Sequence, residues 1–274
     1  MTRRNIQDHT YWENFQVTEE DLEHLSNLLV EREIPLPLDE LARALVAFRC
    51  QREEERIARE LSKGTPYLPR NTYQVGETVV FPALEYATAQ VIGVRDGHNP
   101  EYGAFSVIQA EFSNGRRREF AADLADHPLN KTQPAEESAL RSPEDLYSEY
   151  GPRVRAALNT RLEAEFGFIR LAGQWFLKDL LVDINAGQLN LAEAVLDMAG
   201  GGPLPTEALV RDLDLPKEID PQLRIFSLNY SLQEDDRFDE VGPAGEVLWY
   251  LRRLEPPEVL DPPMRLQPRV LEYD

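Results

Sequence analysis

The sequence predicts an α+β chain of several modules: a helical N-terminal region, a small β-barrel, and a helical C-terminal part closed by a hairpin. Three observations carry this prediction. Apolar residues recur at helical spacing up to about residue 66 and again after residue 143, and the stretch between them alternates with period two. Turn formers punctuate the alternating stretch. The 274 residues, 42% of them hydrophobic, hold enough apolar material for two or three compact cores.

Charge and composition narrow the function classes. With 29 Lys and Arg against 49 Asp and Glu, the chain carries a formal charge of −20. Such a surface repels bare phosphate, which disfavours sequence-independent coating of nucleic acid and favours protein partners. The first thirty residues lack the apolar core and small-residue cleavage site of a signal peptide. No apolar run is long enough to span a bilayer, so a cytoplasmic location with no membrane partner is expected. The single cysteine, Cys50, excludes an intramolecular disulfide. His9, His24, His98 and His127 lie far apart, so no Cys/His zinc site is expected.

A first helix begins at Thr18, a threonine cap followed by the acidic Glu19-Glu20-Asp21, with Leu22, Leu25, Leu28 and Leu29 on one face. After Ile34-Pro35-Leu36-Pro37 a second helix runs from about Leu38 to Leu61 and stops near Gly64. Its mixed charges between Arg49 and Arg59 read as a solvated face held by ion pairs. Strands follow at Glu77–Phe81, Ala89–Val94, Phe105–Phe112 and Arg116–Ala121. Asp96-Gly97, Asn99-Pro100 and Asn114-Gly115 serve as turns, the last as a hairpin tip. The segment Tyr73–Pro82 resembles the opening strand of Tudor-like and SH3-like barrels, including the RNA-polymerase-interacting domain of the CarD and transcription-repair coupling factor group. That resemblance covers one strand.

Residues 131–142 are polar and aperiodic, as a linker is. A helix is expected over Pro143–Glu165, then a hairpin within Phe166–Leu181 that turns at Ala172-Gly173. Beyond it come a helix over Leu189–Ala199 stopped by Gly200-Gly201-Gly202, a second over Pro203–Leu213, and a third over Pro221–Leu232 that buries Leu223, Phe226 and Tyr230. Two strands, Arg237–Val241 and Val247–Leu251, close the module. Three helices and such a wing make a winged helix. The order of these pieces, with Pro203-Leu204-Pro205-Thr206-Glu207 opening the second helix and Trp249 in the last strand, resembles the HARE-type helix-turn-helix family over residues 189–254. Its bacterial members include the N-terminal domain of the RNA polymerase delta subunit. The chain departs from the family in a short Lys217–Gln222 segment and in a final strand that runs directly into Arg252-Arg253. The resemblance implies a role in transcription or chromatin, through polymerase or DNA, without catalysis.

Pro35–Leu45 aligns without gaps to Pro203–Leu213, sharing Pro, Leu, Pro, Leu, Arg and Leu, and both segments follow a leucine-rich helix. Two readings stay open. The echo marks a second helix-turn-helix, or it reflects only how helices begin, with proline and an acid in the first turn. The expected segments are a helical region at 1–66, the barrel at 67–130, the linker at 131–142, a helix and hairpin at 143–186, the winged helix at 187–254, and a Pro-rich extended tail at 255–274.

No constellation for catalysis stands out, so no enzyme activity, cofactor, metal or small-molecule substrate is expected. The glycine run lacks the Lys-Ser/Thr of a phosphate loop and follows a helix. Glu234-Asp235-Asp236 with Asp239 and Glu240 reads as a solvated acidic turn in preference to a cation site. Cys50 reads as a small buried hydrophobe, and His98 and His127 as single loop residues. The candidates for nucleic-acid or partner binding are Arg116, Arg117 and Arg118 at the hairpin tip, with Arg224, Asn229, Arg237 and Arg252 in the C-terminal module, Gln222 beside them. Residues 187–254 carry six Lys and Arg against thirteen Asp and Glu, a net of −7, which suits a basic protein face better than phosphate. The expected function is an adaptor on RNA polymerase or another nucleic-acid enzyme. The alternatives are a DNA-binding regulator and an assembly protein.

Overall fold

The computed structural model describes residues 6–99, 101–130, 141–200, 202–243 and 245–256. Most of the expected linker and the tail beyond Pro256 lie outside the described residues. The chain is α+β, with helices and three sheets.

Helix α1 (His9–Glu13) starts on Asp8, whose carboxylate accepts from Thr10 N. Helix α2 (Glu19–Arg32) starts on Thr18 in a capping box: Thr18 Oγ1 accepts from Asp21 N, and the Asp21 carboxylate takes the Thr18 N–H. Strand β1 (Leu36–Pro37) leads into α3 (Leu38–Leu61). Strands β2 (Thr65–Pro66), β3 (Thr78–Phe81), β4 (Ala87–Asn99), β5 (Gly103–Phe112) and β6 (Arg117–Ala122) follow. Then come α4 (Pro143–Glu163), β7 (Phe168–Leu171), β8 (Gln174–Leu177), α5 (Ala186–Met198), β9 (Leu204–Pro205), α6 (Thr206–Asp212), α7 (Pro221–Gln233), β10 (Phe238–Glu240) and β11 (Leu248–Leu251).

The chain divides into two compact units, each discontinuous: residues 1–15 with 43–154, and residues 16–42 with 155–274. In the first unit, Trp12 is fully buried between Phe15 and Tyr150, its ring centroid 5.5 and 5.7 Å from theirs, and its indole donates to Ile6 O. Strands β2 to β6 form one sheet in chain order. The core on this sheet gathers Val79, Phe81, Ala89, Val91, Ile108, Ala110 and Ala122 with Tyr73 from the loop before β3, and Tyr67, Phe112 and Phe120 pack against them. The turn at Asn114-Gly115 closes β5 onto β6, with Glu111 opposite Arg117, as the sequence predicts.

Two expectations for this region are corrected. The sheet does not close into a barrel: no strand pairing joins β2 to β6 among the described residues, and the chain beyond them is linked by two hydrogen bonds, Asp123 N to Asn71 O and Leu124 N to Pro69 O. Strand β2 is two residues long and Pro66 has no N–H to donate, so it makes a poor closing edge. Asp96-Gly97 is not a turn but lies inside β4, where Gly97 faces Phe105. A Cβ there would sit 2.3 Å from the Phe105 ring. The turn comes later, around Asn99, whose side chain caps Glu101 N. The helix over Leu38–Leu61 ends just before Gly64, as the sequence predicts, and Gly64 has a second role. It admits β2 against β3, since a Cβ at Gly64 would meet Thr78 O at 2.4 Å.

The second unit holds the other two sheets, ordered β1-β8-β7 and β10-β11-β9. Their registers coincide. Leu36 and Pro37 pair with Trp175 and Gln174, and Leu204 and Pro205 pair with Trp249 and Leu248. Phe168 stands opposite Leu177 as Phe238 stands opposite Leu251. A helix, a two-residue strand, a helix, and then a helix leading into a hairpin thus occur twice in the chain, with β2 to β6 lying in sequence between the second and third helices of the first copy. Leu204 and Pro205, expected within the start of a helix, are strand, and the helix begins at Thr206. Ala172 and Gly173 turn the first hairpin with φ of 48° and 78°, the left-handed pair that a two-residue turn requires. The core of the second copy gathers Ala192, Leu196, Leu209, Leu213, Leu228, Leu232, Phe238, Trp249 and Leu251.

Candidate interaction site

A buried polar knot organises the second copy. Thr206 at the start of α6, Asn229 in α7 and Trp249 in β11 are 1%, 5% and 2% exposed. The Trp249 indole N–H donates to Asn229 Oδ1 at 2.8 Å, and Thr206 Oγ1 donates to the same oxygen. An indole nitrogen only donates, so the amide oxygen must face it and the Asn229 Nδ2 points the other way. Among the described residues nothing accepts from Nδ2. Asn229 lines a cleft of about 470 Å³ walled by Pro205, Glu207, Gln222, Ile225, Phe226 and the Gly245–Leu248 segment, with Ala172 and Gln174 of the first hairpin at its rim.

No family model, curated protein or solved structure matches this chain. The site is therefore read from its residues alone.

The structure scatters the predicted binding residues. Asn229 is not at the surface to read base edges, because its carbonyl is consumed inside the core. Arg237 is held by Asp235 at 2.7 Å, by Glu193 at 2.8 Å and by Asn190 at 2.7 Å. Arg252 donates to Phe238 O and lies within 4 Å of Asp236 and Asp239. Arg224 is half-buried, and its Nε makes no hydrogen bond. Gln222 is exposed at the mouth of the cleft. Arg237 and Arg252 are thus offset by neighbouring carboxylates, which lowers their attraction for phosphate. At the β5–β6 tip the three arginines are exposed. Arg117 pairs with Glu111 at 3.0 Å, while Arg116 and Arg118 have no ion pair among the described residues.

The other candidates resolve locally. Asp235 and Arg237 make the acidic turn a hydrogen-bonded ion pair, and among the described residues no cluster of His, Cys, Asp and Glu is disposed to hold a metal. Cys50 is buried, and its thiol is pushed up to about 11 by burial and by Glu54, so it stays protonated at neutral pH. His98 lies in β4 opposite Ala104 instead of in a loop. His127 Nδ1 accepts from Leu129 N in a turn. Gly200, at φ 75°, ends α5.

Sequence reasoning missed Thr206 and the first-copy tryptophan, Trp175. A signal was present: Leu158, Asn159, Leu162 and Phe168 repeat the spacing of Leu228, Asn229, Leu232 and Phe238. In the first copy Leu38 stands where Thr206 stands in the second, Asn159 turns to Glu163, and the Trp175 Nε1 is buried with no partner among the described residues.

The Arg237 guanidinium holds the Asp235 carboxyl below the usual range, first through its side-chain hydrogen bonds and then through its backbone N–H and charge, against the opposing effect of burial. A depressed folded pKa stabilises above the unfolded value, near 3.9, and that contribution fades as pH falls through the folded pKa. The melting-temperature gap between wild type and Asp235→Asn is therefore expected to be widest at neutral pH and to narrow below about pH 4. A gap that stays constant down to pH 2 would contradict the pairing.

Proposed function

We propose that the protein is a non-enzymatic adaptor on RNA polymerase or related nucleic-acid machinery, built on two winged helices, the first interrupted by the five-stranded sheet. The observation that carries this reading is the repeated Leu-Pro on Trp register, which makes each short strand the third member of a wing sheet behind a three-helix order. The C-terminal copy keeps the order of the HARE-type family. Its third helix, α7, carries Arg224 as its single cation in a segment of net charge −7, which favours a basic protein face over phosphate. Among the described residues no helix is long and apolar enough to cross a membrane. Tagged full-length protein incubated with purified bacterial RNA polymerase, or with cell extract, is expected to retain polymerase or another nucleic-acid enzyme at moderate salt. Retention of none of them overturns the proposal.

A second reading, direct DNA binding, is favoured by Arg116 and Arg118, exposed and without ion pairs among the described residues. Gel shifts at low salt decide it. Binding that falls with salt at a log–log slope of about −2, and is lost on charge reversal of Arg116, Arg117 and Arg118, supports it, since each phosphate contact adds about −0.9. No shift with any duplex removes it.

A further inference from the structure

We infer that the cleft beside α7 receives an extended basic and apolar segment of a partner protein, with the Asn229 amide holding one of its backbone carbonyls. This rests on the adaptor reading in taking the occupant to be a protein. Three features of the cleft converge. First, Asn229 is 5% exposed and its orientation is locked, because Oδ1 accepts from both Trp249 and Thr206. Asn229 lines the cleft, and with Oδ1 committed to Trp249 and Thr206 its NH2 group keeps two donors with no acceptor among the described residues. A donor held at the edge of a core demands an acceptor, and a peptide carbonyl supplies one without bringing charge. Second, Ile225, Phe226, Val247 and Leu248 give the walls apolar surface for an alternate side chain of an extended chain. Third, among the described residues the lining of the cleft includes Glu207 and Glu246 and no Lys or Arg, so an entering basic side chain is attracted, and a phosphate or an acidic peptide is repelled. Gln174 and Gln222 at the mouth offer further amides that match a backbone.

The test uses the full-length chain, 15N-labelled, and two fluorescein-labelled peptides, one alternating Lys and Leu over eight residues and one with every Lys replaced by Glu. Because any basic peptide is drawn to a chain of charge −20, the readouts must be local. The Asn229 side-chain NH2 and the Trp249 indole signals are expected to shift with the basic peptide. Glu207→Lys/Glu246→Lys is expected to weaken binding at least tenfold, as is Ile225→Glu. The control Glu54→Lys/Glu55→Lys, with the same change of net charge at exposed positions outside the cleft, is expected to change it less than threefold. Glu207 and Glu246 are exposed, so the melting temperature reports whether the double variant still folds. The inference is overturned if the basic peptide does not bind or the Asn229 and Trp249 signals stay in place. It is overturned equally if the control variant weakens binding as much as the cleft variant, if the acidic peptide binds as tightly, or if duplex DNA displaces the peptide. If polymerase is still retained by the cleft variant, the cleft inference fails and the adaptor reading survives. If the peptide seats on Asn229 but no nucleic-acid enzyme is retained, the adaptor reading fails and the cleft stands.

Discussion

Trp249→Ala is expected to cost about 3–5 kcal/mol, the range for removing a fully packed aromatic ring from a core. The ring fills the centre of the second copy among Leu209, Leu228, Leu232 and Leu251, and its N–H is one of two donors that satisfy Asn229 Oδ1. The more discriminating comparison is with phenylalanine at both tryptophans. Trp249→Phe removes ring volume and also strips a donor from a buried carbonyl, and is expected to cost about 2–3 kcal/mol. Trp175→Phe removes comparable volume but also an indole N–H that is buried without a partner among the described residues, a group whose burial already costs about 1–3 kcal/mol, so the net loss is expected to be below about 1 kcal/mol. Chemical denaturation followed by circular dichroism measures both. Equal losses at the two sites would show that the polar knot contributes nothing beyond packing.

Gly64→Ala is expected to destabilise by about 3 kcal/mol, at the upper end of ordinary overpacking. The added Cβ would sit 2.4 Å from Thr78 O and 2.9 Å from Thr78 C, and both are backbone atoms that cannot swing aside as a side chain would. To make room, β2 must part from β3 where Thr65 pairs with Val79. Gly167→Ala is the control. Nothing lies within 4 Å of that position, and the smaller entropy of an unfolded alanine makes a change near zero or slightly stabilising the expected result. A Gly64→Ala variant within 0.5 kcal/mol of wild type, on the scale where ordinary surface substitutions fall, would contradict the close approach.

Much of the fold was legible because it is local. Thr18 with Asp21 announces α2, Asn114-Gly115 the β5–β6 hairpin, Ala172-Gly173 the β7–β8 hairpin, and Gly200 the end of α5. Each is a matter of which few residues satisfy a helix end or accept positive φ. The errors also have a local cause. Asp-Gly and Pro-acid pairs are ambiguous by themselves: Asp96-Gly97 stays in strand because Phe105 covers it, and Leu204-Pro205 is drawn into strand by pairing with Trp249 and Leu248.

The candidate site was the least legible part. Asn229 was visible as a polar residue on an apolar helix, which by sequence suits a base reader. Its burial depends on Thr206 and Trp249, 23 and 20 residues away, which only folding brings to one oxygen. Arg237 and Arg252 read as free cations until Glu193, Asp235, Asp236 and Asp239 are placed around them.

The sequence by itself determined the helix starts and stops, the strand alternation, the acidic charge and the echo of Pro35–Leu45 in Pro203–Leu213, because short-range periodicity, caps and turn residues act within a few positions. Only the tertiary structure decided what the echo means. Leu36-Pro37 finds its partner at Trp175-Gln174, across more than 130 intervening positions that include the whole five-stranded sheet, and residues 16–42 join residues 155–274 in one compact unit. Backbone pairing of a two-residue strand leaves almost no periodic trace. Its position is set by the side chains it helps to bury, and those come from the far end of the chain.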